Sequence, residues 1–124
     1  MAKIRHIAYR AENPEAMAKF FIDAFEMRIA QRRDPGVIDL TDGTINLTVL
    51  PLGLGGAPDA HGIEHIGFTA QDNSSAMKSV LAAGAREKNT IQLGDVHYER
   101  KFEGPEGIVV DVGLWAGTAP VEAP

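Results

Sequence analysis

The sequence predicts an α+β protein built of two tandem βαβββ modules, and three observations carry that prediction. Ile4-Arg5-His6-Ile7-Ala8-Tyr9-Arg10-Ala11 and Ile63-Glu64-His65-Ile66-Gly67-Phe68-Thr69-Ala70 both read Ile-x-His-Ile-small-aromatic-x-Ala, 59 residues apart. Each copy runs through an Asx residue into a helical pattern, and Met17, Phe20 and Phe21 recur as Met77, Val80 and Leu81, 60 residues on. Each helical stretch is followed by three strand-like runs. Two consecutive elements matching in order point to duplication rather than accident.

The elements follow in order. The first strand covers residues 4–11, and Asn13 then offers a helix N-cap with Pro14 at the first helical position, where its missing N–H costs little. Met17, Phe20, Phe21, Ala24 and Phe25 form the i, i+3, i+4, i+7, i+8 stripe of an amphipathic helix. Strands are expected over residues 28–31, 37–40 and 44–50, turned by Asp34-Pro35-Gly36 and Asp42-Gly43. Pro51 to Pro58 reads as a linker by its Gly and Pro content. The second copy has its strand at 63–70, caps among residues 72–75, the Met77-Val80-Leu81 stripe, and Gly84 as a left-handed C′ residue. Strands at 87–91, 96–102 and 108–114 close it, the last preceded by Gly104-Pro105-Glu106-Gly107. Module one thus spans residues 3–51, the linker 51–62, module two 63–115 and a frayed tail 117–124. Modules of this size are too small to stand alone and are expected to share a core within one domain of 124 residues.

Composition narrows the function classes. Twelve basic against 17 acidic residues give a net charge of −5 with no basic block, which argues against a nucleic-acid partner. No apolar run reaches bilayer length, and Met1-Ala2-Lys3-Ile4 opens no signal-peptide core, so no membrane association and a cytoplasmic location are expected. Cysteine is absent, which removes disulfides, thiolate nucleophiles and Cys-zinc sites together. Any metal must be held by carboxylates and by four histidines.

Strand alternation places Ile4, His6, Ala8 and Arg10 on one face and Ile7 and Tyr9 on the other. Ile7 and Tyr9, with Ile66 and Phe68 in the copy, form the apolar face expected under the helix. His6 and His65 then look away from the helix at the same place in each module. Asp111 is the third candidate: it sits at the middle of Ile108-Val109-Val110-Asp111-Val112-Gly113-Leu114, the most apolar strand in the chain. A buried carboxylate must be paired, protonated or metal-bound. The bland alternatives are two hydrogen-bonded core histidines and a surface-facing aspartate. Two imidazoles and one carboxylate from three strands make a facial triad with open positions, suited to Fe(II), Mn or a similar divalent ion. Candidate acid–base groups lie in Val96-His97-Tyr98-Glu99-Arg100-Lys101-Phe102, where His97, Glu99 and Lys101 share one face and Tyr98, Arg100 and Phe102 the other. His97 and Tyr98 are the candidate catalytic residues, weighed against a solvated edge. His61 lies four residues before His65, but in the linker rather than on a helix, which makes it incidental.

These residues resemble the vicinal oxygen chelate superfamily of glyoxalases, extradiol dioxygenases and bleomycin-resistance proteins. Three stretches carry the resemblance: Ile4 to Ala8 with Glu12-Asn13-Pro14 and Lys19-Phe20-Phe21, then Gly62 to Phe68, then Phe102-Glu103-Gly104-Pro105-Glu106-Gly107 leading to Asp111. The resemblance implies a glyoxalase/bleomycin resistance/dihydroxybiphenyl dioxygenase-like fold, with the modules forming a U-shaped cup around a divalent metal (Fe(II), Mn, Ni or Zn), in a homodimer acting on a small molecule. It also implies His6, His65 and Asp111 as metal ligands. Asp111 stands where a glutamate is usual in that family. Setting Gly43 over Gly107 places Leu47 opposite Asp111, with Asn46 or Thr48 one residue away, and none is a carboxylate. Relatives resembling glyoxalase I or the acyl-CoA epimerases use an acid there to take a proton beside a carbonyl. Dioxygenase-like chemistry is therefore preferred over isomerisation, and the alternative is a metal-free protein that sequesters a ligand.

Overall fold

The computed structural model describes residues 2–54, 61–93 and 97–115, with only the backbone described for residues 89–93, 97–99 and 114–115. Two compact units result, His6–Glu64 and, among the described residues, 65–115 with 2–5. Residues 55–60 of the linker expected at 51–62 lie outside the described residues, as does the whole of the expected tail.

The unit of residues 6–64 takes the order β1 (Lys3–Ala11), α1 (Pro14–Phe25), β2 (Arg28–Arg33), β3 (Val37–Thr41) and β4 (Asn46–Pro51). Its strands lie as β2-β3-β4-β1, with β1 parallel to β4 and the others antiparallel. The other unit repeats the plan with β5 (Gly62–Thr69), α2 (Asn73–Ala82), β6 (Arg86–Leu93), β7 (His97–Glu103) and β8 (Val109–Trp115), in the order β5-β8-β7-β6. Here β5 runs parallel to β8, while β7 pairs antiparallel with β8 and β6. The α+β class and the doubled βαβββ order are those the repeat predicts. No helix among the described residues is long and apolar enough to cross a membrane.

Local chemistry explains the boundaries. Asn13 caps α1 by accepting the Ala16 N–H at 3.0 Å, with Pro14 in the first turn. Asp72 does the same for α2, accepting the Ser75 N–H at 3.1 Å. The strand expected from residue 44 starts at Asn46 instead. The Asp42 carboxylate accepts the N–H groups of Thr44 (2.8 Å) and Ile45 (2.9 Å), holding both in the turn.

Helix α1 covers its sheet tightly. Ala18 is buried against Ala11, Ile38, Leu40 and Val49, with Met17, Phe21 and Ile22 packed around them. The expected stripe is therefore rotated: Phe20 and Phe25 are 56% and 63% exposed and meet Phe21 through ring contacts at 5.3 and 6.0 Å. Apolar residues occupy more of this helix than one face, and small Ala18 permits the closest approach to the sheet. Helix α2 differs, with no buried residue and Leu81 46% exposed. The N-caps of the two helices, Asn13 of α1 and Asp72 of α2, stand 59 residues apart, so the helices repeat at the offset of the strands and not at 60. Met17 thus corresponds to Ala76 and Phe21 to Val80.

Candidate metal centre

In the unit of residues 65–115, Asp111 is fully buried on β8, directly opposite Lys101 of β7. Lys101 Nζ donates to Asp111 Oδ1 at 2.9 Å and lies 3.5 Å from His65 Nδ1. His65 Nε2 stands 3.2 Å from Asp111 Oδ2. Register explains the convergence. Gly67 of β5 pairs with Asp111, so His65, two residues earlier, shares its face. A buried carboxylate costs several kcal/mol unless paired, and Lys101 supplies the pairing.

Two ligand atoms bonded to one ion at about 2.0–2.2 Å and a right angle lie about 3 Å apart. The 3.2 Å between His65 Nε2 and Asp111 Oδ2 fits that requirement. Lys101 occupies the other carboxylate oxygen, which fixes the carboxylate orientation.

In the unit of residues 6–64, His6, Ala8 and Arg10 of β1 are buried on the face away from α1. Arg10 donates to the Leu54 carbonyl and pairs with Glu64 at 3.6 Å. The same side of this sheet holds Asp39, a residue the sequence reading passed over. It is fully buried and accepts from Arg33 Nε (2.7 Å), Arg33 Nη2 (3.0 Å), Gln31 Nε2 (2.9 Å) and Thr48 Oγ1 (2.6 Å). A β-bulge between Ile29 and Gln31 turns Gln31 and Arg33 to this side; in unbroken register Gln31 would face the helix. The signal was present in the sequence. Asp39 interrupts Val37-Ile38-Asp39-Leu40 as Asp111 interrupts its own apolar strand.

The register also corrects the expected equivalence of Leu47 and Asp111. Ala8 pairs with Thr48, and its repeat counterpart Gly67 pairs with Asp111. Thr48 is therefore the position matching Asp111, while Leu47 packs on the helix side. Asn46 pairs with His6, and its amide donates to the Leu40 carbonyl at 3.1 Å. The cross-strand neighbours correspond as well: Asp39 stands opposite Thr48 as Lys101 stands opposite Asp111.

His97 and Tyr98 begin β7, paired in the backbone with Trp115 and Leu114, and their side chains lie outside the described residues. His61 is exposed and lines a cleft with Tyr9 and Phe20.

Comparisons with known proteins agree with this architecture. The family model described as the Glyoxalase/Bleomycin resistance protein/Dioxygenase superfamily matches residues 3–112. Among solved structures, a hypothetical protein of Bacillus halodurans superposes with a TM-score of 0.77 at 13% identity, covering 95% of this chain and 97% of the other. A variant of the Streptomyces coelicolor methylmalonyl-CoA epimerase, in complex with 2-nitronate-propionyl-CoA, gives 0.71 at 16% identity with 98% of each chain covered. The 2,3-dioxygenase LapB from a Pseudomonas species gives 0.70 at 18% identity, covering 93% of this chain and 42% of that one. At these identities the structural likeness speaks to fold alone. No curated protein matches in sequence.

Proposed function

The chain belongs to the Glyoxalase/Bleomycin resistance protein/Dioxygenase superfamily, and from that premise we propose that it is a divalent-metal-dependent enzyme acting on a small molecule, with dioxygenase-like chemistry in preference to isomerisation. His6, His65 and Asp111 are the ligands in this proposal; two of them, His65 and Asp111, stand 3.2 Å apart within the unit of residues 65–115. When bound, such an ion supplies Lewis acidity toward substrate oxygens or activates oxygen through its open positions.

One observation carries the preference: Thr48 occupies the position matching Asp111. An isomerase moving a proton beside a carbonyl needs a base, and a threonine hydroxyl is a poor one near neutral pH. Asp39, the buried carboxylate next to it, is committed to Arg33, Gln31 and Thr48. Lys101 acts on the ligand set from the other side, holding one oxygen of Asp111 so that the other faces His65.

Metal analysis of the purified protein with Asp111→Ala and His65→Ala tests the proposal. Near-stoichiometric Fe, Mn, Ni or Zn in the parent protein, lost in both variants, is the expected result; metal content unchanged in Asp111→Ala would refute the ligand set. A second reading, metal-free ligand sequestration, is favoured by the Lys101 ion pair, which already balances the Asp111 charge. It prevails if no divalent ion binds at micromolar concentration.

A further inference from the structure

A cavity of about 660 Å³ lies between α2 and the side of β8 opposite Asp111. Ile108, Val110 and Val112 floor it, Phe68 of β5 adjoins them, and Ala76 and Val80 roof it. This volume is within the range of about 300–1,000 Å³ usual for small-molecule pockets, which are mostly apolar with a few polar groups.

The repeat shows how the space arises. Matched on their caps, Met17 and Phe21 fill the helix–sheet interface of the other unit, where α2 carries Ala76 and Val80. The bulkier Leu81, counterpart of the packed Ile22, is 46% exposed. Small side chains thus point inward and a large one outward, the reverse of what packing alone favours. The helix is nonetheless pinned at its start, because Asn73 Nδ2 donates to the Gly113 carbonyl at 3.0 Å and Asn73 Oδ1 accepts the Ala70 N–H. The pinned end holds the interface at its spacing.

We propose that this cavity binds a neutral, largely apolar small molecule carrying one hydroxyl or amide group, at a site separate from the candidate metal centre. The polar part of the wall is sparse: Gln71, Asp72, Ser75 and Ser79 supply its polar side chains. Asp72 remains ionised well into acid, since the Ser75 N–H holds its carboxyl below the usual range. A carboxylate in the wall repels anionic ligands and accepts a hydrogen bond from a neutral hydroxyl or amide. The apolar walls disfavour cations and sugars, which lose more hydration than four polar side chains return.

The full-length protein is titrated with 2-naphthol, which is neutral at pH 7, and with 2-naphthoate as its charged counterpart. Methyl NMR shifts of Ala76, Val80 and Val110 locate binding, and fluorescence gives the affinity. Saturable shifts at these methyls with 2-naphthol are expected, and 2-naphthoate binding at least about tenfold more weakly. Transplanting the residues of α1 as Ala76→Met with Val80→Phe closes the space, lowering 2-naphthol affinity at least about tenfold while raising Tm. If that pair fails to fold, Ala76→Leu alone is expected to weaken binding in the same direction. The proposal falls if 2-naphthol shifts none of the three methyls, or if its affinity survives filling. It falls also if filling instead disrupts self-association in sedimentation, which would make this face a contact with a second copy. Metal content is the independent readout for the proposed function, so loss of one leaves the other standing.

Discussion

The two units share one backbone plan and use it in opposite ways. In residues 6–64 the helix is spent on packing: Met17, Ala18, Phe21 and Ile22 close over Ile38, Leu40 and Val49. The sheet face behind them buries Asp39, which accepts four hydrogen bonds. In residues 65–115 the helix leaves a cavity, and the buried carboxylate of the opposite face lies beside Lys101 and His65. Duplication lets one copy carry stability while the other carries open space, a division that single modules of this size cannot sustain alone.

The strongest way to break this contrast is at Lys101. Lys101→Met leaves Asp111 buried without its cation and is expected to cost about 3–5 kcal/mol in metal-free protein. Added divalent ion restores much of that loss in a thermal melt if Asp111 is a ligand. Next comes a matched pair of core truncations. Ile38→Ala is expected to cost about 2–5 kcal/mol, because α1 and its sheet cannot collapse around the void. Val80→Ala, on a helix already lining a cavity, is expected to cost under about 1 kcal/mol. Comparable losses in denaturant titrations would remove the distinction between the units.

Smaller effects sharpen the comparison at the helix starts. Asn13→Ala is expected to cost about 1 kcal/mol through its lost cap. That cap does not titrate, whereas the α2 cap does. The Asp72 carboxyl is held below its ordinary value, first by the Ser75 N–H and then by the Ser75 hydroxyl. A depressed folded-state value means the stabilisation is complete above the unfolded aspartate value, about 3.9, and is lost as pH falls through the folded one. Acidification below about pH 4 should therefore lower the hydrogen-exchange protection factor (the intrinsic rate at the same pH divided by the observed rate) at the start of α2 and leave that of the Ala16 amide of α1 unchanged. Equal loss of protection at both ends would contradict the assignment. Asp42, held low chiefly by the Ile45 N–H, adds a second acid-sensitive point in the β3–β4 turn.

Much of this was legible because duplication writes the same message twice. His6 and His65 could be matched by eye, and Asp111 stood out against its valines. The strand order followed from turn residues and helix caps. What escaped depends on partners distant along the chain. Gly43 and Gly107 look equivalent but their turns differ in length by one residue, so aligning them misplaced Leu47; ladder register selects Thr48. Asp39 was missed because its donors, Gln31 and Arg33, reach it only through a bulge that periodicity does not announce. The cavity was missed because apolar patterning records where hydrophobic residues fall and not whether their volumes fill the space. Met77, Val80 and Leu81 satisfied the pattern while Ala76 and Ser79 set the gap.

Strand β8 divides two environments along its length, a carboxylate turned one way and valines 110 and 112 the other. A slip of one residue would deliver Asp111 into the apolar cavity and a valine beside His65, erasing both at once. Protection against that slip rests on the short turn ahead of the strand. There Glu106 and Gly107 adopt left-handed backbone angles (φ 56° and 80°), and the Gly104 N–H donates to the Ile108 carbonyl at 2.8 Å. Gly107 touches neither environment, yet replacing it with a β-branched residue should disturb both together, so this turn works as the indexing pin of the strand.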